Sequence, residues 1–161
     1  MQREQLKILL LQIRDDHKVR AEELESFARY SQLDVNQIDV LNVFDTPSFD
    51  SSVLEGYDAL YVGGASEANV LEPKIYPFVN DCISLIKFAG DTGIPTFASC
   101  FGFQLAVLAF GGEILSKDED YEMGSIPITL TNLATIDPVF SGTPDKFPAL
   151  SIHRQYALEL P

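Results

Sequence analysis

The segment Pro95-Thr96-Phe97-Ala98-Ser99-Cys100-Phe101-Gly102-Phe103-Gln104-Leu105-Ala106 combines residue types that can do nucleophilic chemistry. Pro95 to Ala98 reads as the end of a buried strand, and Leu105 to Phe110 as a buried helix stopped by Gly111-Gly112. The chain must turn sharply between them, with Cys100 at the apex of a strand-turn-helix elbow. An elbow pushes its apical side chain out of the sheet in a strained conformation, and its neighbours must be small, as Ala98 and Gly102 are. The helix that follows points its positive dipole end at the thiol, which favours the thiolate. The other reading of the same residues is an inert core cysteine ahead of a buried helix. A thiolate attacking a carbonyl also needs donors for the oxyanion. The Phe101 N–H follows the nucleophile directly, and Gly63-Gly64 ends a neighbouring strand where a backbone can approach a substrate closely. Taken alone, Gly63-Gly64 reads equally as an ordinary strand-ending turn.

Composition narrows the classes of partner. The chain has 161 residues, enough for one domain with a full core, and 46% are hydrophobic, too many for disorder. Eleven Lys plus Arg against 24 Asp plus Glu leave a net charge of -13, which repels phosphate backbones and anionic lipid. Nucleic-acid and membrane roles are therefore not expected. Two cysteines, Cys82 and Cys100, make neither a disulfide framework nor a zinc set, and the two histidines, His17 and His153, suggest no metal site. No cofactor is expected. The longest N-terminal apolar run, Ile8 to Leu11, is soon followed by Arg14-Asp15-Asp16, which fits neither a signal peptide nor a membrane span. A reducing cytoplasm is the expected setting, where a free thiol persists.

The elements that must position Cys100 follow from periodicity. Lys7 to Ile13, Ile38 to Phe44 and Tyr57 to Val62 read as strands, the first covered on both faces. Val19 to Ser31 reads as a helix, with Glu22, Glu23 and Glu25 in turns where the dipole favours acids. Pro73 to Ala89 reads as a second helix whose apolar stripe runs through Ile75, Phe78, Val79, Cys82, Ile83 and Ile86, which places Cys82 in the core. The alternation predicts an α/β fold with a mainly parallel sheet and helices on both faces. Active sites of such folds lie at the carboxyl ends of the strands, so Arg14-Asp15, Asp45-Thr46, Gly63-Gly64 and Cys100 should meet on one rim. After Gly112 the pattern changes to a small antiparallel β region: Glu113 to Leu115 and Met123 to Thr131 as a hairpin around acidic Lys117 to Asp120. A capped turn over Ile136 to Gly142 and a strand over Phe147 to His153 follow.

This set of segments resembles the class I glutamine amidotransferase family, whose Cys-His-Glu sites hydrolyse glutamine to glutamate and ammonia. The resemblance rests on four segments in the family's order: Tyr61 to Ser66, Ala98 to Gln104, Glu122-Met123-Gly124 leading into Ile126 to Thr131, and Ser151-Ile152-His153 leading to Leu160-Pro161. Asp137 to Gly142 fits the family's short segment before the last strand. The resemblance implies a flavodoxin-like three-layer fold, Cys100 as nucleophile, Gly64 and Phe101 lining the oxyanion hole, and Gln104 with Gly63 helping to hold glutamine. It also implies a synthetase or acceptor partner, domain or subunit, that takes the ammonia. Ala98, Ala65 and Phe103 stand where the family often has Gly, Pro and His. After His153 many members carry Gly then Asp; Arg154 and Gln155 stand here and become candidates for holding the α-amino end of a substrate. In the family that histidine precedes the catalytic one, which lies in a His-Pro-Glu motif that does not occur in residues 1–161. The expectation is therefore a single domain over 1–161 that lacks its C-terminal portion and the catalytic His and Glu, so that the chain as given is inactive; His153 is a possible base but not the expected one. Three other readings stay open: a γ-glutamyl hydrolase, a DJ-1-like cysteine α/β protein, and a binding module that kept the elbow without the base.

Overall fold

The computed structural model describes residues 2–116 and 122–161. The acidic stretch Lys117 to Asp120, expected at the tip of a hairpin, lies outside the described residues. The chain divides into two compact units, Met1–Ile114 with Ala157–Pro161, and Leu115–Tyr156.

In the first unit, strands β1 (Ile8–Gln12), β2 (Ile38–Asn42), β3 (Ala59–Val62) and β4 (Thr96–Ala98) form one sheet in the order β2-β1-β3-β4. All three pairings are parallel, with Gln12 opposite Asn42 and Val62 opposite Ala98. Helices α1 (His17–Ser31), α2 (Phe78–Thr92) and α3 (Phe101–Ala109) make the connections. Every residue of β1 is buried, because the strand's alternation feeds two cores. Leu9 and Leu11 point into the large core with Phe78, Cys82, Ile86 and Leu105 of α2 and α3. Ile8 and Leu10 point into a smaller one with Ala28 of α1. The sheet thus has helices on both faces, as the alternation of elements predicts.

Several local expectations are corrected. Helix α1 starts at His17, capped by the Asp16 side chain on the N–H groups of Lys18 and Val19, so Glu22 and Glu23 stand beyond the first turn. Their place is not a response to the dipole, which acts within that turn. Helix α2 starts at Phe78 after Pro77, and Ile75, expected in its stripe, is exposed in the preceding turns. Strand β4, expected to be buried, has one neighbour in the described sheet and leaves Phe97 57% exposed.

In the second unit, β6 (Glu122–Thr129) and β7 (Lys146–His153) form an antiparallel ribbon in which Glu122 faces His153 and Thr129 faces Lys146. Within the connection the Asp137 carboxylate accepts from Val139 and Phe140 N–H, the expected capped turn. The expected hairpin partners differ. β6 pairs with β7, whereas β5 (Glu113–Ser116) pairs with β8 (Gln155–Glu159), a strand the periodicity did not show. Short strands separated by polar residues carry no signal of which partner they take.

Candidate active site

The elbow forms because two backbone contacts draw the start of α3 onto the end of β3 and a third closes the turn itself. Ser99 N–H donates to Val62 O at 3.0 Å, and Gly102 N–H donates to Gly63 O at 3.1 Å and to Ser99 O at 2.9 Å. A Cβ on Gly102 would stand 2.8 Å from Val62 O, so a side chain there would push the helix off the strand. Held between these anchors, Cys100 takes φ 54° and ψ -106°, a region that side-chain-bearing residues adopt only when the surroundings enforce it. Its side chain is exposed, and Phe101 opens α3 immediately after it. The strained, outward-facing apex is the conformation the small-x-Cys-x-Gly spacing predicts.

Gly64 lies beside it. A Cβ placed on Gly64 would stand 3.5 Å from the Cys100 Cβ. The Gly63 N–H is committed to Leu11 O at 3.0 Å within the sheet, which leaves Gly64 as the member of the pair able to turn its N–H elsewhere. Gln104 is buried one turn into α3, its N–H on Cys100 O at 3.1 Å, and is not among the residues lining the cavity next to Cys100. His153 ends β7, Gln155 opens β8, and Arg154 joins them. These three belong to the second unit and are described with it.

The expected rim assembles within the first unit. Arg14 Nε donates to Glu23 Oε1 at 3.0 Å and its Nη1 to Ser66 Oγ at 3.0 Å. Arg20 Nε donates to Arg14 O at 2.8 Å and its Nη1 to Asp45 Oδ2 at 2.6 Å. Behind them is a buried amide pair: Asn42 Nδ2 donates to Gln12 Oε1 and to Arg14 O, and Gln12 Nε2 donates to Arg20 O. The ends of β1, β2 and β3 are thereby tied together. Sequence reasoning missed Gln12, Asn42, Arg20 and Glu23. The available signal was a polar residue in each of two apolar strand runs, at Gln12 and at Asn42, since buried amides are kept where they have partners.

A cavity of about 660 Å³ opens beside Cys100, lined by Cys100, Ser99, Gly64, Arg14 and Glu23 together with aromatic residues. Phe27 stacks on Tyr61 with centroids 5.2 Å apart, and Phe97 meets both edge-on. No described group of three or more His, Cys, Asp or Glu residues is arranged to hold a metal ion. No described helix is long and apolar enough to cross a membrane. Cys82, by contrast with Cys100, is fully buried in α2, and burial, assisted by the nearby Asp81 charge, pushes its thiol well above the usual range.

Comparison with known proteins agrees with this architecture. The family model for glutamine amidotransferase class-I matches residues 30–161. The GMP synthase [glutamine-hydrolyzing] of Tropheryma whipplei is 30% identical across 83% of this chain. That match takes in 25% of the relative's length, so the chain spans a quarter of the curated relatives it matches. A glutamine amidotransferase from Thermotoga maritima superimposes with a TM-score of 0.75 at 19% identity, over 97% of this chain and 63% of its own. One from Methylobacillus flagellatus gives 0.69 at 18% identity, over 96% and 58%. A strained Cys elbow on a parallel α/β sheet and a family match over most of the chain lead to one conclusion: the chain belongs to the class I glutamine amidotransferases.

Proposed function

We propose that this chain carries the glutaminase site of an amidotransferase, with Cys100 as its nucleophile. The observation that carries the reading is the Cys100 conformation, an exposed thiol held at positive φ at the mouth of a cavity and adjoining Gly64. The Cys100 thiolate attacks the side-chain amide carbon of glutamine. The C–S bond forms as the carbonyl pair moves to oxygen, where Gly64 and Phe101 N–H groups receive it. Collapse of the oxyanion breaks the C–N bond while the nitrogen takes a proton from solvent water and leaves as ammonia, and a γ-glutamyl thioester remains for a further water to cleave. Gly63 and Gln104 support the glutamine-binding region. The relative named as a glutamine-hydrolysing GMP synthase favours a synthetase, as a domain or a separate subunit, as the acceptor of the ammonia.

The test is a trapping experiment. Incubation with glutamine followed by rapid acid quenching and mass spectrometry is expected to place a γ-glutamyl group on the peptide containing Cys100 and none on that containing Cys82. Cys100→Ser abolishes the adduct. Absence of the adduct, together with a failure of glutamine to slow alkylation of Cys100, overturns the reading and favours a binding module that kept the elbow.

A further inference from the structure

The cavity beside Cys100 contains an ion pair that the proposed chemistry does not use. Glu23 reaches in from α1 and Arg14 from the end of β1, with side chains only 10% and 18% exposed. Glu23 Oε1 receives Arg14 Nε, but Oε2 is buried without any hydrogen-bond partner. That oxygen stands 2.7 Å from where a Cβ on Gly63 would be, and Arg14 Nη2 stands 2.9 Å from where a Cβ on Gly64 would be. Arg14 Nη1 holds Ser66 two residues further on. The pair therefore fills the space that side chains at Gly63 and Gly64 would occupy and holds the turn by one hydrogen bond, from Arg14 to Ser66. It is itself fixed to the sheet, since Arg14 O accepts from both Arg20 Nε and Asn42 Nδ2. A nearly buried ion pair with one oxygen unsatisfied is a poor source of stability, which an apolar pair would supply better. Its place is specific: it packs against Gly63 and Gly64, the latter beside Cys100.

We infer that Arg14 and Glu23 are positioning residues for the oxyanion site, holding the Gly63–Ser66 turn so that the Gly64 N–H meets the developing oxygen. The inference rests on the reading of Gly64 as an oxyanion donor. An error of about 1 Å in such a donor can weaken the reaction up to about a hundredfold, and a loosened clasp is expected to produce part of that.

The test separates oxyanion formation from thiol reactivity, in the full chain and without glutamine. Butyraldehyde labelled with ¹³C at its carbonyl adds to the Cys100 thiolate. The C–S bond forms, the carbonyl pair moves to oxygen, and that oxygen takes a proton from water, giving a hemithioacetal seen by NMR. Iodoacetamide alkylates the same sulfur by displacing iodide and creates no oxyanion. Glu23→Gln preserves shape and the acceptor for Arg14 but removes the charge; it is expected to weaken the aldehyde adduct about tenfold while iodoacetamide rates stay within about threefold. Arg14→Lys, which cannot bridge Glu23 and Ser66 in one fork, is expected to weaken the adduct at least as much. An adduct unchanged in both variants overturns the inference, as does a wild-type protein that forms none. A parallel fall in both reactions with a lowered melting temperature also overturns it, since that is a merely structural role. A selective loss of adduct in the variants, alongside a wild type that forms no thioester with glutamine, sustains the inference and removes only the glutaminase reading.

Discussion

The turn at the end of β4 and the middle of α2 each hold one cysteine, and the two regions treat the same side chain in opposite ways. In α2, Cys82 points along the helix's apolar stripe into the larger core, fully buried among Phe78, Leu85 and Ile86. Its backbone is regular helix, and burial keeps the thiol protonated. At the elbow, Cys100 has an exposed side chain and a backbone conformation that costs energy. Both thiols precede or sit within helices rich in apolar residues, so local composition does not separate them. The difference lies in backbone anchoring: Gly102 and Ser99 bind across to β3, which forces Cys100 outward. The outward-facing thiol here results from contacts between neighbouring strands and not from the residue's own sequence neighbours.

The largest effect expected from this contrast is kinetic. Iodoacetamide should label Cys100 in the native protein on the order of 10³-fold faster than Cys82, because the latter reacts only after its core opens. Peptide mass spectrometry over a time course measures both rates, and comparable rates would break the contrast. A smaller effect is thermodynamic and belongs to Cys82. Its thiol remains protonated in the folded state, while in the unfolded chain it ionises near its ordinary value of 9.0. Its contribution is complete below that pH and is lost as pH rises above it, by about 1.4 kcal/mol per unit. Denaturant melts between pH 8 and 10.5 should show this alkaline loss in the wild type, and Cys82→Ala should remove that component of the slope. The smallest effect concerns strain. Cys100→Gly, which accepts positive φ freely, should be more stable than Cys100→Ala by about 1 kcal/mol in the same melts. Equal stability would mean that the elbow stores no backbone strain.

How much of the site was legible in the sequence differs from residue to residue. Cys100, Phe101 and Gly102 were legible because the elbow is a local arrangement, in which the strand run, small neighbours and helix start fall within a dozen residues. Gly63-Gly64 was legible as a strand end, and its approach to Cys100 followed from the parallel order of elements. Glu23 was misread as a partner of the helix dipole, because its spacing in α1 is compatible with that role and its true partner, Arg14, lies on another element. Gln12 and Asn42 lie inside runs read simply as strands, and only the register sets them side by side. Strand β8 was not legible, since Gln155–Glu159 is short and mixed in polarity and takes its identity from pairing with β5.

The sequence by itself determined the α/β class, the two-faced burial of β1, the core position of Cys82 and the identity of the apical thiol. These depend on periodicity and on short-range sterics, which are properties of adjacent residues. Only the tertiary structure decided that β4 lies at the margin of the described sheet with Phe97 exposed. It also decided that β6 takes β7 as its partner and that Arg14 and Glu23 close around the glycine turn. The physical reason is common to all three. Strand neighbours and buried ion pairs are chosen by groups far apart in the chain, and their energies exist only once the backbone has brought them within hydrogen-bonding distance.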